Sequence, residues 1–477
     1  MVGIILPFIS VFLSIFIIPL FKKQANWIAL TTVIIQIITM AYWQNIGIET
    51  SNLIYLNAYE NIIYYFVHLE PTSIILMQLT LIITGLCIVY SWKMPSAFFV
   101  LFMILDIVLM LFFSTNNLLL FYILFELSLV PIFLVIGIWG SETRISAAFK
   151  FIFYTLAGSI LFIVSIILIS VLTKQSLDFE TLKNSLSLIS EKYRIFIWIA
   201  MFIAFAVKIP MFPFHTWLPA AHVQAPASGS MILAGILIKM GIYGMLRILL
   251  PLMPTISMKF ADTVIILSII AIIYTSFVAY AQTDMKKMIA YSSIAHMGIA
   301  TSGIFSMTQA GVEGAIFQMI SHGIVSSALF LCIGMLYERQ HTRAISNFSG
   351  LAKQVPFFSC AFIVLSMASI GLPGTSGFIG EFLSILGVFQ KSPTKSFLCA
   401  TGVIFSACYM LKLCKSIIWG DINTDKPSIT KENIKEKICL SVLVLLTLLL
   451  GIKPNYILSE IHKTSDHIIN FINIQSI

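Results

Sequence analysis

Apolar stretches follow one another along nearly the whole of this 477-residue chain, and many reach the roughly 20 residues that a helix needs to cross the hydrocarbon layer of a bilayer. Hydrophobic residues make up 59% of the chain and Asp, Glu, Lys and Arg only 10%, whereas soluble domains carry about a quarter charged residues. Such a surface could not be solvated in water. The first run, Gly3 to Phe21, lacks a basic leading segment and is followed by Lys22 and Lys23 rather than by a small-residue cleavage site. It reads as a retained first helix. The pattern as a whole reads as an all-α integral membrane protein lying in a lipid bilayer.

About fourteen transmembrane helices are expected, near 3–21, 26–43, 73–92, 97–115, 117–139, 148–173, 194–217, 227–250, 260–281, 286–307, 312–337, 357–390, 397–418 and 437–457. The formal net charge is +8, which in a soluble chain would suggest nucleic acid as a partner. Here the basic residues sit in short loops, so the charge reports orientation and no nucleic-acid partner is expected. Loops after odd-numbered helices hold Lys22, Lys23, Arg144, Lys286, Lys287, Arg339 and Arg343. The loop 44–72 holds Glu49, Glu60 and Glu70 and no Lys or Arg. Both termini are therefore expected outside the cytoplasm.

Two spans contain helix breakers at depth: Lys208-Ile-Pro-Met-Phe-Pro-Phe-His215 in helix seven and Gly371-Leu-Pro-Gly-Thr-Ser-Gly377 in helix twelve. Each proline removes a backbone donor. In lipid the freed groups must be satisfied by protein or by water in a cavity, so the breaks mark polar interiors. They lie five helices apart. Five is an odd number of crossings, so tandem units would enter from opposite sides, giving two inverted five-helix repeats, each with a broken helix. The expected organisation is residues 1–96 as three N-terminal helices, 97–250 as the first repeat, 260–418 as the second, and 419–477 as a cytoplasmic loop, a last transmembrane helix and a short tail.

Four ionisable residues lie well inside spans: Glu126, Lys208, Lys239 and Glu381. Each would cost at least about 2.5 kcal/mol facing lipid. Lys208 lies about 21 Å and Lys239 about 18 Å into its helix at the ordinary rise per residue, too deep to snorkel easily. Burial weakens a lysine's hold on its proton and a nearby carboxylate strengthens it, the sensitivity a proton carrier needs. Glu126 is the expected partner of Lys208, Lys239 the next acceptor and Glu381 the last group before exit. Static ion pairs holding helices together are the plainer alternative. His296 and His322, also within spans, are possible relays.

Other residues carry weaker signals. His215 and His222 flank the first break among prolines and read as loop-shaping. Asp106 has no obvious partner and reads as a protonated, hydrogen-bonded carboxyl. Lys150, Arg247 and Lys412 sit nearer span ends, where snorkelling explains them, and Lys150 could link toward Glu126. The glycines of 371–380 are no phosphate cradle. None of the seven cysteines sits in a C-x-x-C pair with nearby histidines, so no metal or iron–sulfur site is expected, and no cofactor on this chain.

Lys208-Ile-Pro-Met-Phe-Pro-Phe-His-Thr-Trp-Leu-Pro-Ala-Ala-His-Val-Gln-Ala-Pro226, with Leu237-Ile-Lys239, Tyr243-Gly-Met-Leu-Arg247, Phe125-Glu126, Tyr291-Ser-Ser-Ile-Ala-His296 and Ser321-His322-Gly323, resembles the antiporter-like membrane subunits of respiratory NADH:quinone oxidoreductase, complex I. The resemblance runs from about helix three to helix fourteen. Gly377-Phe-Ile-Gly-Glu381-Phe382 looks like the paralogue carrying glutamate on helix twelve where the other two carry lysine. The chain also stops soon after helix fourteen, without the long lateral helix of another paralogue. The resemblance implies a proton-translocating subunit of an oxidoreductase in a bacterial inner membrane or an equivalent energy-coupling membrane. Its partners would be the other membrane subunits of complex I, including the antiporter-like paralogues, and redox chemistry would occur on other chains. Glu126, Lys208, Lys239 and Glu381 match the family's proton-path residues, with His296 and His322 in the connecting polar axis. The alternative is a subunit of a related multi-chain cation/proton antiporter, and a third reading is a membrane scaffold.

Overall fold

The computed structural model describes residues 2–46, 69–421 and 429–474. The acidic stretch with Glu49 and Glu60 lies outside the described residues. Among those described, the chain is helical throughout, with two isolated β-bridges and no strand.

The main helices are α1 (Val2–Leu20), α2 (Ala25–Ile46), α3 (Pro71–Tyr90), α4 (Ser96–Ser114), α5 (Leu118–Trp139) and α6 (Arg144–Thr173). Next come α7 (Glu191–Lys208, resuming at Trp217–Gln224), α8 (Ala227–Leu252), α9 (Pro254–Ala281), α10 (Met285–Phe305) and α11 (Gln309–Gln340). Last are α12 (Pro356–Ile370, resuming at Ser376–Lys391), α13 (Pro393–Ile418), α14 (Ile434–Ile452) and α15 (Asn455–Ile474). Among the described residues, ten helices are long and apolar enough to cross a membrane, or eleven if the bent pair α14–α15 forms one span. Four of the fourteen expected spans fall outside the ten: α1, the interrupted α7 and α12, and α14. The short tail expected after α14 is instead the 20-residue helix α15, bent by 67° from α14.

Burial sorts the helices into an inner and an outer set. The apolar window of α11 is wholly buried and those of α8 and α10 are 94% buried, while those of α6 and α13 are 39% buried. The outer helices present large apolar side chains outward, such as Phe149, Phe153, Ile160, Ile167 and Val171 on α6. In a bilayer that face meets acyl chains or neighbouring protein, and the inner set can hold polar side chains away from lipid.

Both breaks lie where the prolines and glycines put them, and each is closed by protein. In α7 the Met211 amide donates to Ala206, five residues back, at 2.8 Å. The carbonyl of Val207 thereby loses its helical donor and accepts instead from the Trp217 indole N–H at 2.9 Å. One side chain from beyond the break thus satisfies a backbone group before it. In α12, Gly371 and Gly374 adopt φ of +83° and +90°, conformations that β-carbons disfavour. The helix resumes at Ser376, and a side chain at Gly377 would collide with the Ala368 carbonyl. The two halves of α12 can approach only because that position is glycine.

Candidate functional site

Lys239 is fully buried on α8 between two π-helical segments, Leu233–Leu237 and Met245–Leu249. Such segments are common at functional sites because they leave backbone carbonyls out of the regular ladder. The Lys239 ammonium donates to the carbonyl of Ala234, in the first of these segments. Its second contact is His322 on α11, with Nζ to Nδ1 at 2.8 Å. Lysine has only donors, so His322 accepts at Nδ1 whenever Lys239 is charged.

From His322 the polar run continues across the inner helices. The rings of His322 and His296, on α10, have centroids 5.7 Å apart. His296 Nδ1 meets Glu381 Oε1 at 2.6 Å, and both side chains are nearly inaccessible. Glu381 sits just after the break in α12, on the first turns of the resumed helix. Its Oε1 also accepts from Gln318 Nε2 at 3.1 Å, and Ser369 lies 3.4 Å from His296 Nε2. A cavity of about 20 Å³ lies among His296, His322, Glu381, Ser293, Ser326 and Ser369. It is polar and large enough for one water. Lys239, His322, His296 and Glu381 therefore form one lateral series through three inner helices and the second break, hydrogen-bonded at both ends and with a 5.7 Å ring-to-ring step in the middle.

Lys208 and Glu126 form the other part. Lys208 is 2% exposed at the last turn before the α7 break. Its Nζ donates to Ser128 Oγ at 3.2 Å and lies 4.6 Å from the centre of the Phe125 ring. Ser128 is where α5 loses helical regularity, between Leu118–Leu127 and Leu129–Trp139. The Glu126 carboxylate is two residues from it and half-buried. Among the described residues no ion pair within 4 Å joins Lys208 to Glu126. In this structure Lys208 is held on a hydroxyl and an aromatic face rather than in an ion pair with Glu126. Nor does a described hydrogen bond join Lys208 to Lys239.

The remaining singled-out residues have settings of their own. Asp106, expected as a hydrogen-bonded carboxyl without an evident partner in sequence, accepts from Gln36 Nε2 of α2 at 2.9 Å, so the pair ties α2 to α4, apart from the lateral series. Arg247 pairs with Glu70 and also donates to Asn116 at 3.2 Å, which replaces snorkelling by a specific contact. Lys412 donates to the Tyr280 carbonyl at 3.0 Å and lies over the same residue's ring. Lys150 is exposed on α6. His222, read as loop-shaping, is fully buried, lies flat on Phe330 with centroids 4.2 Å apart, and neither ring nitrogen has a hydrogen-bond partner. A histidine inside a motif already holding a mid-depth lysine was the available signal, and its proline neighbours obscured it. Among the described residues no group of three or more His, Cys, Asp or Glu side chains could hold a metal ion.

Comparison with known proteins places this geometry in context. Residues 115–407 match the family model described as NADH:quinone oxidoreductase/Mrp antiporter, TM. The chain is 48% identical over 411 residues to the NADH-quinone oxidoreductase subunit M of Rickettsia bellii, covering 85% of this chain and 83% of that protein. Its fold is similar to a chain of respiratory complex I from Thermus thermophilus with bound NADH, with a TM-score of 0.86, 25% identity and 99% of each chain covered. It is also similar in fold, at 16% identity and a TM-score of 0.84, to a chain of the Mrp complex from Dietzia sp., again over 99% of each.

Proposed function

Because the chain belongs to the NADH:quinone oxidoreductase/Mrp antiporter family, on its subunit M branch, we propose that it is a proton-translocating membrane subunit of an NADH:quinone oxidoreductase. It assembles with the other membrane subunits of that complex, its antiporter-like paralogues included, in the bacterial inner membrane or an equivalent energy-coupling membrane. NADH oxidation and quinone reduction belong to other subunits, and this chain carries protons without a redox cofactor of its own.

The single observation that supports this reading most is the buried series Lys239–His322–His296–Glu381, with contacts of 2.8 Å at one end and 2.6 Å at the other. In our reading Glu126, Lys208, Lys239 and Glu381 are the proton-path groups, and His296 and His322 are the relays between them. The fourteen crossings, counting the broken α7 and α12 as one each, form three N-terminal helices (1–96), two inverted five-helix repeats (97–250 and 260–418) and a C-terminal part (419–477). Both termini lie outside the cytoplasm. The matching breaks after Lys208 and before Glu381 favour the repeat.

Free energy from redox chemistry reaches the chain as a change in charge pairing. Moving one charge against 100 mV takes about 2.3 kcal/mol, which corresponds to a pKa change of about 1.7 units. The separation of Lys208 from Glu126 is the rearrangement able to supply it: together they favour a charged lysine, and apart desolvation favours proton release. Lys208→Ala should abolish coupled proton pumping in assembled complex. Pumping at the wild-type rate would overturn the role.

A second reading, as a subunit of a multi-chain cation/proton antiporter, is favoured by the fold likeness to the Mrp complex chain. Copurification separates the two: recovery with quinone-reductase subunits supports the first and their absence the second.

A further inference from the structure

The carboxylate of Glu381 is held by one oxygen. Oε1 meets His296 Nδ1 at 2.6 Å and accepts from Gln318 Nε2 at 3.1 Å, whereas Oε2 is buried with no hydrogen-bond partner among the described residues. Oε2 faces the break in α12: a β-carbon on Gly371, where the first half of that helix ends, would sit 3.2 Å from it. One oxygen is thus turned to the histidine side and the other to the unwound segment.

Gln318 is 2% exposed on α11, and backbone contact sets its place. A β-carbon on Gly380, the residue before Glu381, would lie 2.5 Å from the Gln318 amide oxygen and 2.7 Å from the Gln318 Cα and N. The resumed half of α12 therefore packs directly on this residue. A carboxylate only accepts, so the amide presents its nitrogen to Glu381. The last torsion of a glutamate is broad and roughly two-fold, and a bond from a firmly seated donor is what selects one rotation.

We propose that Gln318 is a positioning residue for proton transfer, setting the rotation of the Glu381 carboxylate so that Oε1 faces His296 and Oε2 faces the α12 break. The proposal rests on the proton-translocating reading above. The His296 imidazolium gives its Nδ1 proton to Oε1: the N–H bond breaks, the O–H bond forms, and both groups become neutral. A neutral carboxyl accepts more weakly than a carboxylate, so the bond from Gln318 loosens and a half-turn about Cγ–Cδ brings the O–H to the break. There the proton passes to water, leaving hydronium and the carboxylate. The half-turn has exchanged two equivalent oxygens, so the bond from Gln318 re-forms without a return stroke.

A bond that merely ties α11 to α12 is the competing account. Gln318→Met keeps the bulk and removes the donor, while Gln318→Glu supplies a group that can donate to Glu381 only while protonated. The other titratable side chains of the packed helices are His296 on α10, His322 on α11 and Tyr409 on α13, and all are unchanged in these variants. Both are compared with Glu381→Gln in membrane vesicles, as NADH-driven proton movement and NADH oxidation at matched complex content. Gln318→Met should lower coupled proton movement at least about tenfold, within the roughly 10²-fold that a misplacement of about 1 Å can cost. Pumping by Gln318→Glu should fall more steeply with rising pH than that of the wild type, which a tie between helices gives no reason to expect. Wild-type pumping in Gln318→Met beside loss in Glu381→Gln overturns the proposal. A Gln318→Glu pH profile parallel to the wild type's overturns it even where Gln318→Met does not assemble. Wild-type pumping in Glu381→Gln sinks the underlying proton path instead.

Discussion

The ammonium of Lys239 lies 2.8 Å from Nδ1 of His322, on a different helix and 83 residues further along the chain. The other nitrogen of that ring is buried without a partner and turned loose from Lys239. In the proposed path this contact hands the lysine's proton toward the cavity beyond.

Removing the acceptor should therefore strand the proton. His322→Ala leaves Lys239 with the Ala234 carbonyl alone, which cannot take a proton onward. Coupled pumping should fall by about 10² in complex that still assembles, read as vesicle acidification driven by NADH. Retained pumping would show that His322 only packs there.

At the other end, Glu381 receives His296 and Gln318 on the same oxygen. Glu381→Gln keeps the shape and removes the exchangeable proton, so assembly should be normal and pumping lost. Glu381→Asp should retain a measurable part, because a carboxyl remains. Equal behaviour of the two variants in a vesicle pumping assay would contradict this.

Ser128 Oγ accepts from the Lys208 ammonium at 3.2 Å, and among the described residues no ion pair within 4 Å joins that lysine to Glu126. Ser128→Ala removes that acceptor at a cost of about 1–3 kcal/mol for the buried charge left without it, and should let Lys208 swing toward Glu126. The measurable result is slower coupled turnover with unchanged complex content. Unaltered turnover would show that the hydroxyl plays no part in separating the pair.

Asp106 and Gln36 offer a contrast, since their pair lies apart from the lateral series. Asp106→Asn should leave pumping intact, because an amide can still bond Gln36. Asp106→Leu should strand the Gln36 amide and destabilise the protein by about 1–3 kcal/mol, seen as a lower melting temperature with the proton yield per NADH preserved. A fall in that yield for Asp106→Asn would give Asp106 a place in transport.

Much of this was legible in the chain because the signals are local. Prolines and glycines announce the two breaks wherever they fall in an apolar run, and a lysine or glutamate in such a run is conspicuous by its cost. Contacts between helices are a different matter. Nothing near Lys239 in sequence points to His322, and the charge complementarity that suggested a close Glu126–Lys208 pair does not register the Ser128 hydroxyl that competes for the lysine. Gln36 escaped because it carries no charge to stand out among apolar neighbours. The helix α15 escaped because Glu460, Lys463 and Asp466 interrupt its hydrophobic pattern, so it reads as a polar tail until its apolar side is seen against the bundle.

The most direct measurement is the number of protons moved per NADH oxidised in sealed vesicles carrying Lys239→Met, which keeps much of the bulk and loses the titrating group. The result expected is assembled complex in which coupled proton movement through this subunit has stopped. Wild-type proton yield and rate in that variant would contradict the account, since the buried series would then be only a set of bonds between helices.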